Sequence, residues 1–412
     1  MNKSDAERLS SVMKSLGYKE SDKEDDADII FVLACSVRQS AIDRIYGKAR
    51  KWNSLKKKRN IKTYLSGCVL PSDKKKMTKI FDAFFDVKDI VKLPKLLGNS
   101  DKCLEVSNYL KIIPNYTSSF SAFVPIMTGC NNFCTYCAVP YTKGREISRN
   151  LDDIVKEVES LVKKGYKEIT LLGQNVNSYG LDFSESKQKK QNFANLLKSI
   201  NKIPGKFWIM FITSNPHDMS EDIINAVATS EKIIEYIHLP VQAGNDQVLK
   251  NMNRKYTQKQ YLDLVKKIKD KISNLAITTD TIVGFPGETK KQFEDTKTVY
   301  EKVKYDMAYI AQYSPRPGTV SAKMKDNVSR DEKKRRDKEL NDILRRTALE
   351  NNKKMIGSTY EVLFDKYKKG SVFGRTRTFK LVQAIGKKEF VGKFKKVKIE
   401  SVTPWATKGI IV

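Results

Sequence analysis

The chain has 412 residues, and its 77 Lys and Arg against 48 Asp and Glu give a formal net charge of +29. This length exceeds what a single compact core supports, so two or three domains are expected, and the charge predicts a polyanionic partner, with nucleic acid favoured over a membrane. No apolar run approaches the roughly 20 residues that span a bilayer, and the first residues carry no apolar signal core, so we expect a cytoplasmic protein without a membrane partner.

Residues 1–115 are predicted to form an α/β domain with two cysteines at one edge of its sheet. A helix is predicted over residues 5–16, and residues 28–33 form an apolar run typical of a buried parallel strand that leads into Cys35. Residues 63–65 repeat the pattern before Cys68. The carboxyl ends of parallel strands are where an open α/β sheet places its ligands, so both cysteines are candidate site residues.

Residues 116–352 alternate predicted strands with amphipathic helices. Asn150 is predicted to cap a helix that ends near Gly165, and a charged connector helix is predicted over 329–354. Repeated βα units predict a parallel sheet, open or closed into a partial barrel, with functional groups on the loops that follow the strands. The predicted strands cover 168–172, 208–212, 234–239 and 275–283.

Residues 353–412 change to a pattern of short strands with basic residues between them, which predicts a small all-β barrel of OB-like character. The fold class is therefore multidomain α/β with a C-terminal β-barrel. The strands are predicted at 360–364, 372–381, 394–399 and 409–412.

The strongest chemical signal is the CxxxCxxC triplet of Cys130, Cys134 and Cys137. Three thiolates on one loop can hold three irons of a 4Fe–4S cube and leave the fourth iron free to bind a further ligand. Zinc is the alternative, but a structural zinc site takes four ligands, and the two histidines of the chain lie far downstream. Cys103 stands in a polar segment and is predicted to be structural or incidental.

The triplet, with an aromatic residue before its last cysteine, resembles the signature of radical S-adenosylmethionine (SAM) enzymes. More narrowly, the chain is similar over nearly its whole length to the methylthiotransferases that modify tRNA adenosines. That family has an N-terminal methylthiotransferase domain (here 1–115), a radical SAM partial barrel (116–352) and a C-terminal TRAM domain (353–412). The stretches that carry the resemblance are 34–38, 144–149, 171–179, 238–242, 282–289 and 313–319.

The resemblance implies two 4Fe–4S clusters. The cluster on the triplet would bind SAM and cleave it to a 5′-deoxyadenosyl radical, which takes hydrogen from C2 of an adenine. The auxiliary cluster would carry the sulfur, and Cys35 and Cys68 match two of its three ligands. The first ligand has no counterpart here, so we expect a truncated or mis-started chain in which this cluster is incomplete. The alternative is a genuine two-cysteine site.

Candidate SAM-binding residues follow predicted strands, where side-chain amides, hydroxyls and glycine turns can approach a ligand. Arg149 and Arg316 could pair with a carboxylate or phosphate. For each of these the alternative is an ordinary loop or cap residue, and His217 and His238 are predicted to be such structural residues. The candidates besides the arginines are Gln174, Asn175, Ser214, Gln242, Gly284 and Glu288.

Arg375 and Arg377 resemble the basic strand of TRAM domains and are predicted to bind RNA. Phe373, Phe379 and Phe394 are candidates for base stacking. The alternatives are a solvated basic face here and a compositional drift toward Lys in the chain as a whole.

The resemblance implies methylthiolation of N6-isopentenyladenosine at position 37 of tRNA, with the anticodon stem-loop as partner. Flavodoxin or ferredoxin would be the electron donor, and a monomer is expected. Sister branches that act on threonylcarbamoyl-adenosine or on a ribosomal-protein aspartate are the alternatives. A different class, an RNA-binding protein with structural or redox clusters, would form no 5′-deoxyadenosine.

Overall fold

The computed structural model describes residues 1–35, 39–98, 108–188 and 190–412. The described chain forms two compact units. The first contains Met1–Ser118, Thr128–Ile147 and Pro315–Ala322, so the cysteine triplet groups with the N-terminal residues. The second contains Ser119–Met127, Ser148–Ser314 and Lys323–Val412.

Thirteen α-helices lie within the described residues, and none of them is long and apolar enough to cross a bilayer. They are α1 (Asn2–Ser15), α2 (Gln39–Arg59), α3 (Pro71–Met77), α4 (Leu93–Leu96), α5 (Val139–Lys143), α6 (Leu151–Lys163), α7 (Glu185–Gln188), α8 (Phe193–Asn201), α9 (Glu221–Ala228), α10 (Asp246–Asn251), α11 (Gln258–Lys271), α12 (Lys290–Val303) and α13 (Arg330–Lys353).

Sixteen strands lie within the described residues. They are β1 (Ile29–Cys35), β2 (Lys62–Cys68), β3 (Ala83–Phe84), β4 (Ser121–Pro125), β5 (Met127–Thr128), β6 (Ile147–Ser148), β7 (Glu168–Leu172), β8 (Trp208–Phe211), β9 (Tyr236–His238), β10 (Ala276–Val283), β11 (Met307–Gln312), β12 (Thr359–Lys368), β13 (Ser371–Thr376), β14 (Leu381–Ile385), β15 (Phe394–Val402) and β16 (Thr407–Ile411).

The first unit is built on the parallel sheet β1-β2-β3, as the sequence predicts. The apolar face of α2 packs on one side of this sheet, and the Leu9 and Val12 face of α1 packs on the other. The strands are buried on both faces, which explains their continuous apolar runs. Because β1 and β2 run in parallel and in register, Cys35 and Cys68 are direct neighbours at their carboxyl ends.

The second unit contains six parallel strands in two three-stranded sheets, β4-β7-β8 and β9-β10-β11. A parallel bridge between Ile209 and Ile233 connects the end of one set to the start of the next, as in a partial barrel. Asn150 caps α6 as predicted, its side-chain oxygen accepting the Asp152 amide at 2.9 Å. The sequence predicted neither β4 nor β11, and both lie at the edges of their sheets.

The C-terminal strands close into a five-stranded barrel of order β12-β13-β14-β16-β15, which confirms the predicted small β-barrel. The single strand predicted over residues 372–381 is wrong. It is two antiparallel strands, β13 and β14, joined by a turn in which Phe379 has a φ of +58°. The two parallel sheets of the second unit form what we call the larger barrel. Phe379 packs against Tyr236 and Phe394 against Trp208 of this barrel, so these two rings are not available to stack on bases as predicted.

Candidate active site: the cysteine loop and the strand ends of the barrel

Backbone contacts fix the loop that carries the cysteine triplet. The Cys130 amide donates to the Gly144 carbonyl at 3.1 Å, and the Cys137 amide donates to the Cys134 carbonyl at 2.9 Å. Gly129, just before the first cysteine, has a φ of +80°, and a Cβ there would overlap the carbonyl oxygen of Arg145. Only glycine allows this close approach without strain, so the loop depends on that residue.

Side chains that follow the triplet hold the same loop. Glu146 is buried, its carboxylate accepts the Asn131 amide at 3.3 Å, and the Asn131 side chain accepts the Glu146 amide at the same distance. Phe133, in the left-handed region at φ +47°, lies under the Arg145 guanidinium at 4.3 Å. Arg145 and Glu146, from the segment 144–149 that carries part of the family resemblance, therefore contact the cysteine loop and hold it in place.

The loop suits a cluster with three thiolate ligands. Cys130 is buried and Cys134 and Cys137 are half-buried, so the site is shielded and still accessible. Among the described residues no three His, Cys, Asp or Glu side chains converge on a single-ion site. A 4Fe–4S cube does not require such convergence, because each thiolate binds a different iron. Burial raises the pKa of the Cys130 thiol, a cost that bonding to iron would offset.

A buried ion pair lies beside the other two cysteines in the same unit. Lys143, at the end of α5, pairs with Asp5 of α1 at 3.2 Å, and both side chains are almost fully buried. Burial raises the pKa of the Cys68 thiol, whereas the Lys143 charge acts to lower it. Burial alone would lower the pKa of Lys143, but Asp5 and Cys68 raise it above its ordinary value, so the amine stays charged. The sequence did not single out this cation, whose charge acts to lower the pKa of the Cys68 thiol against the effect of burial.

Arg316 belongs to the first unit too. Burial lowers the pKa of its guanidinium, and the charges of Asp73, Cys35 and Asp43 act in the opposite direction. The arginine thus lies in the electrostatic neighbourhood of Cys35. Cys103 lies outside the described residues.

In the second unit, two candidate SAM-binding side chains carry buried polar atoms that lack a partner. Gln174 Oε1 and Ser214 Oγ are both buried without a hydrogen bond to any described residue. A buried oxygen without a partner costs about 1–3 kcal/mol, so these atoms fit a polar ligand that completes them. Asn175, by contrast, is already engaged, since it donates to Asp218 at 2.6 Å and accepts the Asn215 amide at 3.1 Å.

Two residues with unusual backbone angles mark the strand ends of the barrel. Thr213 has a φ of +72° and Gln242 a φ of +65°. Positive φ angles are rare for residues other than glycine and cost most for β-branched residues such as threonine. Thr213 Oγ1 donates to the Gly173 carbonyl at 2.8 Å, and Gln242 is tied to β10 through its backbone. Such strain is typical of functional sites. The sequence did not indicate Thr213, because its conformation is imposed by neighbours.

Gly284 and Glu288 form one buried unit with Arg336 of α13. Gly284 has a φ of +68°, its amide donates to the Glu288 carboxylate at 2.7 Å, and the same carboxylate oxygen accepts from Arg336 at 2.7 Å. This contact set favours a positioning role for Glu288 rather than its predicted contact with SAM. Arg149 is similarly engaged, donating to the Pro125 carbonyl and pairing with Glu157 at 2.7 Å.

A polar chain crosses the inside of the larger barrel. His238 Nδ1 lies 2.9 Å from Thr278 Oγ1, which in turn donates to the Tyr236 hydroxyl at 3.0 Å. His238 Nε2 lies 3.3 Å from a carboxylate oxygen of Asp280, which is half-exposed. His238 is a buried strand residue, as predicted, and His217 lies in a short turn capped by Asn215. Asp280 is a candidate that the sequence alone did not suggest.

The predicted RNA-binding arginines are both engaged within the second unit. Arg377 forms a bidentate pair with Glu235 and donates to the carbonyls of Glu231 and Ile233. Arg375 stacks on Phe379 at 4.2 Å and donates to its carbonyl at 3.3 Å. The Arg377 contacts attach the small barrel to the larger one, and those of Arg375 lie within the small barrel. The Arg377 guanidinium is therefore already occupied by protein partners and is not free to bind RNA as predicted.

The five paired or grouped cysteines lie in the first unit and the candidate SAM-binding residues in the second. Within the first unit the fold brings Cys35 next to Cys68, and it holds Cys130, Cys134 and Cys137 on one loop. Within the second unit Gln174, Asn175 and Ser214 share the loops after neighbouring strands.

Comparisons with known proteins agree with this geometry. Residues 1–87 match the family described as Uncharacterized protein family UPF0004, residues 124–298 the Radical SAM superfamily and residues 353–412 the TRAM domain. A solved structure, the radical S-adenosylmethionine methyltransferase TsrM from Kitasatospora setae, is similar with a TM-score of 0.57 and 12% identity, covering 77% of this chain and 73% of that one. That likeness concerns the fold.

Relatives of known name match nearly the whole chain. A tRNA-2-methylthio-N(6)-dimethylallyladenosine synthase from Clostridium tetani is 41% identical over 429 residues, which cover 99% of this chain and 93% of the relative. One of the same name from Carboxydothermus hydrogenoformans is 41% identical and covers 100% of this chain and 97% of its own. The chain therefore belongs to the tRNA-2-methylthio-N(6)-dimethylallyladenosine synthase family of radical SAM proteins.

Proposed function

We propose that this protein is a methylthiotransferase that converts N6-dimethylallyladenosine at position 37 of tRNA to its 2-methylthio derivative. The observation that carries the proposal is the full-length similarity to synthases of that name, combined with a cysteine loop held for three thiolate ligands. The sister branches that modify threonylcarbamoyl-adenosine or a ribosomal-protein aspartate have no such support.

The chemistry explains why the cysteine loop is needed. The C2–H bond of adenine is neither acidic nor activated for ordinary polar substitution, so a strong hydrogen-atom acceptor is required. When bound at Cys130, Cys134 and Cys137, a 4Fe–4S cluster supplies the electron that cleaves SAM to methionine and a 5′-deoxyadenosyl radical. Membership in the radical SAM family implies both of these cofactors.

The residues of the second unit would bind and orient SAM. Gln174 Oε1 and Ser214 Oγ, buried without partners, suit the ammonium of the methionine portion and a hydroxyl group. Gly284 is buried, and the Lys333 side chain of α13 fills the position that a Cβ would take, so this turn packs against α13. Glu288 and Arg336 keep that turn in place.

We propose a second cluster at Cys35 and Cys68, where the charge of the buried Lys143 acts to lower the pKa of the Cys68 thiol. These two residues supply two of the three ligands that such a cluster takes in this family, and the third is not assigned within this chain. Whether the cluster assembles is directly measurable as iron per chain.

The partner would be the anticodon stem-loop of tRNA, in keeping with the net charge of +29 and the TRAM domain. We propose that the enzyme acts as a monomer and receives electrons from flavodoxin or ferredoxin. We also propose domain boundaries near residues 115 and 352, which separate the three matched families.

The test is anaerobic reconstitution followed by measurement of iron, sulfide and 5′-deoxyadenosine. The wild-type protein should cleave SAM under reduction, and Cys130→Ala should lose both iron and 5′-deoxyadenosine formation. Cys103→Ala is the matched control and should keep both. About four irons per chain would mean that only the triplet binds a cluster, and about eight that both sites assemble. Stoichiometric zinc without iron would contradict the proposal.

A further inference from the structure

Two adjoining cavities lie between the larger barrel and the small C-terminal barrel, both within the second unit. Their volumes are about 240 Å³ and 340 Å³, and they share Ala276, Asp306, Thr378 and Lys380 as walls. They open at the amino ends of β9, β10 and β11, away from the strand ends that carry the candidate SAM-binding residues. Nothing in the proposed chemistry uses them.

The larger cavity, which we call the lysine cavity, is lined by four cations and one carboxylate among the described residues. The cations are Lys269, Lys304, Lys354 and Lys380. Asp306 pairs with Lys380 at 2.6 Å and accepts the Ile277 amide at 2.9 Å, so its negative charge is already balanced by Lys380.

Lys304 pairs with Glu350 at 3.3 Å, whereas Lys269 and Lys354 have no ion pair among the described residues. Lys269 donates only to the Val303 carbonyl at 2.6 Å. Burial lowers the pKa of Lys269, and the positive charges of Lys354 and Lys304 lower it further, against the opposing effect of Asp306. Lysines at helix ends complement helix dipoles, but that role does not require three of them to face one cavity. An anionic group would relieve the repulsion.

The smaller cavity, which we call the aromatic cavity, is lined by aromatic rings and a buried amide. Trp405 is 40% exposed and Tyr309 53% exposed, and Arg375 lies on the Phe379 ring in the same wall. Asn352 is 1% exposed, and its amide donates to the carbonyls of Thr403 and Pro404, which leaves its Oδ1 buried without a partner among the described residues. Exposed aromatic rings and an amide acceptor suit a nucleobase.

We propose that these cavities together bind one nucleotide of single-stranded RNA, with a phosphate in the lysine cavity and the adjoining base in the aromatic cavity. The identification of the RNA as part of the substrate tRNA rests on the proposed function. The proposal also explains why Arg375 and Arg377 are engaged inside the protein: they build the wall between the two barrels, and the lysines around it contact the RNA.

The test is fluorescence anisotropy with the full-length protein and a labelled anticodon stem-loop RNA, titrated at several salt concentrations. The double variant Lys269→Gln/Lys354→Gln should bind about tenfold more weakly, and the slope of log affinity against log salt should fall by about 0.7 to 0.9 for each lost phosphate contact. The matched control is Lys259→Gln/Lys266→Gln, which removes the same charge from exposed pairs within α11 and should bind as the wild type does.

Trp405→Ala separates base binding from charge. It should weaken RNA binding about tenfold, and binding of polyphosphate, a base-free polyanion, should stay unchanged. Equal affinity of the wild type and the lysine-cavity double variant, with equal salt slopes, would overturn the proposal. So would an equal loss of RNA and polyphosphate binding in Trp405→Ala. If these binding results hold but wild-type protein fails to methylthiolate tRNA, the proposed function fails and the nucleotide site stands.

Discussion

Replacing Arg336 by leucine should destabilise the protein and loosen the Gly284 turn. Arg336 and Glu288 are 2% and 1% exposed in their side chains, and their atoms lie 2.7 Å apart. Arg336→Leu would leave the Glu288 carboxylate buried, with the backbone amides of Gly284 and Phe285 as its neutral partners. Breaking a buried pair by removing one partner costs about 3–5 kcal/mol, so the free energy of unfolding should fall by that amount.

Urea unfolding followed by tryptophan fluorescence measures this loss, because Trp208 is buried in the same unit. The matched control is Arg335→Leu, since Arg335 is the next residue but is 43% exposed and pairs with surface glutamates, which should cost about 0–1 kcal/mol. The double variant Arg336→Leu/Glu288→Gln should recover part of the loss, because it removes the unpaired charge. Equal effects of the Arg336 and Arg335 substitutions would refute the reasoning, as would a double variant less stable than Arg336→Leu.

Two further predictions concern a buried carboxylate and a loop glycine. Burial, and then the charge of Asp365, raises the pKa of Glu168 from 4.5 to about 6, so the folded protein holds this proton more tightly than the unfolded chain. Stability should therefore fall by about 2 kcal/mol as pH rises between these values, and Glu168→Gln should abolish that step in urea titrations. Gly129→Ala should prevent stoichiometric iron uptake during reconstitution, because the new Cβ would overlap the Arg145 carbonyl. Gly165→Ala, at a φ of +90° in open space, should keep its iron, and equal iron losses would contradict this account.

The parts of the fold that the sequence predicted well are those set by local patterns. Asn150 before an apolar stripe marked the start of α6, and the continuous apolar run before Cys35 marked β1. The turn between β13 and β14 was missed because the residues between Thr376 and Leu381 include neither Gly nor Pro and have good strand propensity. In this case the closure of the small barrel decides the turn, with Phe379 forced to a positive φ.

The residues of the candidate site also divide into those that local sequence patterns predict and those that depend on contacts distant in sequence. The spacing of Cys130, Cys134 and Cys137 is local and could be read directly, and the neighbourhood of Cys35 and Cys68 followed from the parallel strand pattern. The pairing of Arg377 with Glu235 spans 142 residues and that of Glu288 with Arg336 spans 48. No local pattern reports such contacts. The prediction of RNA binding by Arg377 rested on the resemblance to TRAM domains, and that of SAM binding by Glu288 on its position in a turn after a predicted strand.

The strained conformation of Thr213 and the burial of Lys143 could not be predicted from the sequence, for a related reason. No pattern in the neighbouring residues indicates a positive φ at a β-branched residue. A lysine in a strongly basic chain is expected to lie on the surface, so its burial is not predicted. Both follow from packing between segments that are distant along the chain.

The most direct test of the central claim is mass spectrometry of nucleosides from tRNA that carries N6-dimethylallyladenosine, after anaerobic incubation with the reconstituted protein, SAM and a reductant. The account predicts the 2-methylthio derivative with wild-type protein and none with Cys130→Ala. Formation of 5′-deoxyadenosine without any 2-methylthio product, in a protein shown to hold both clusters, would contradict it.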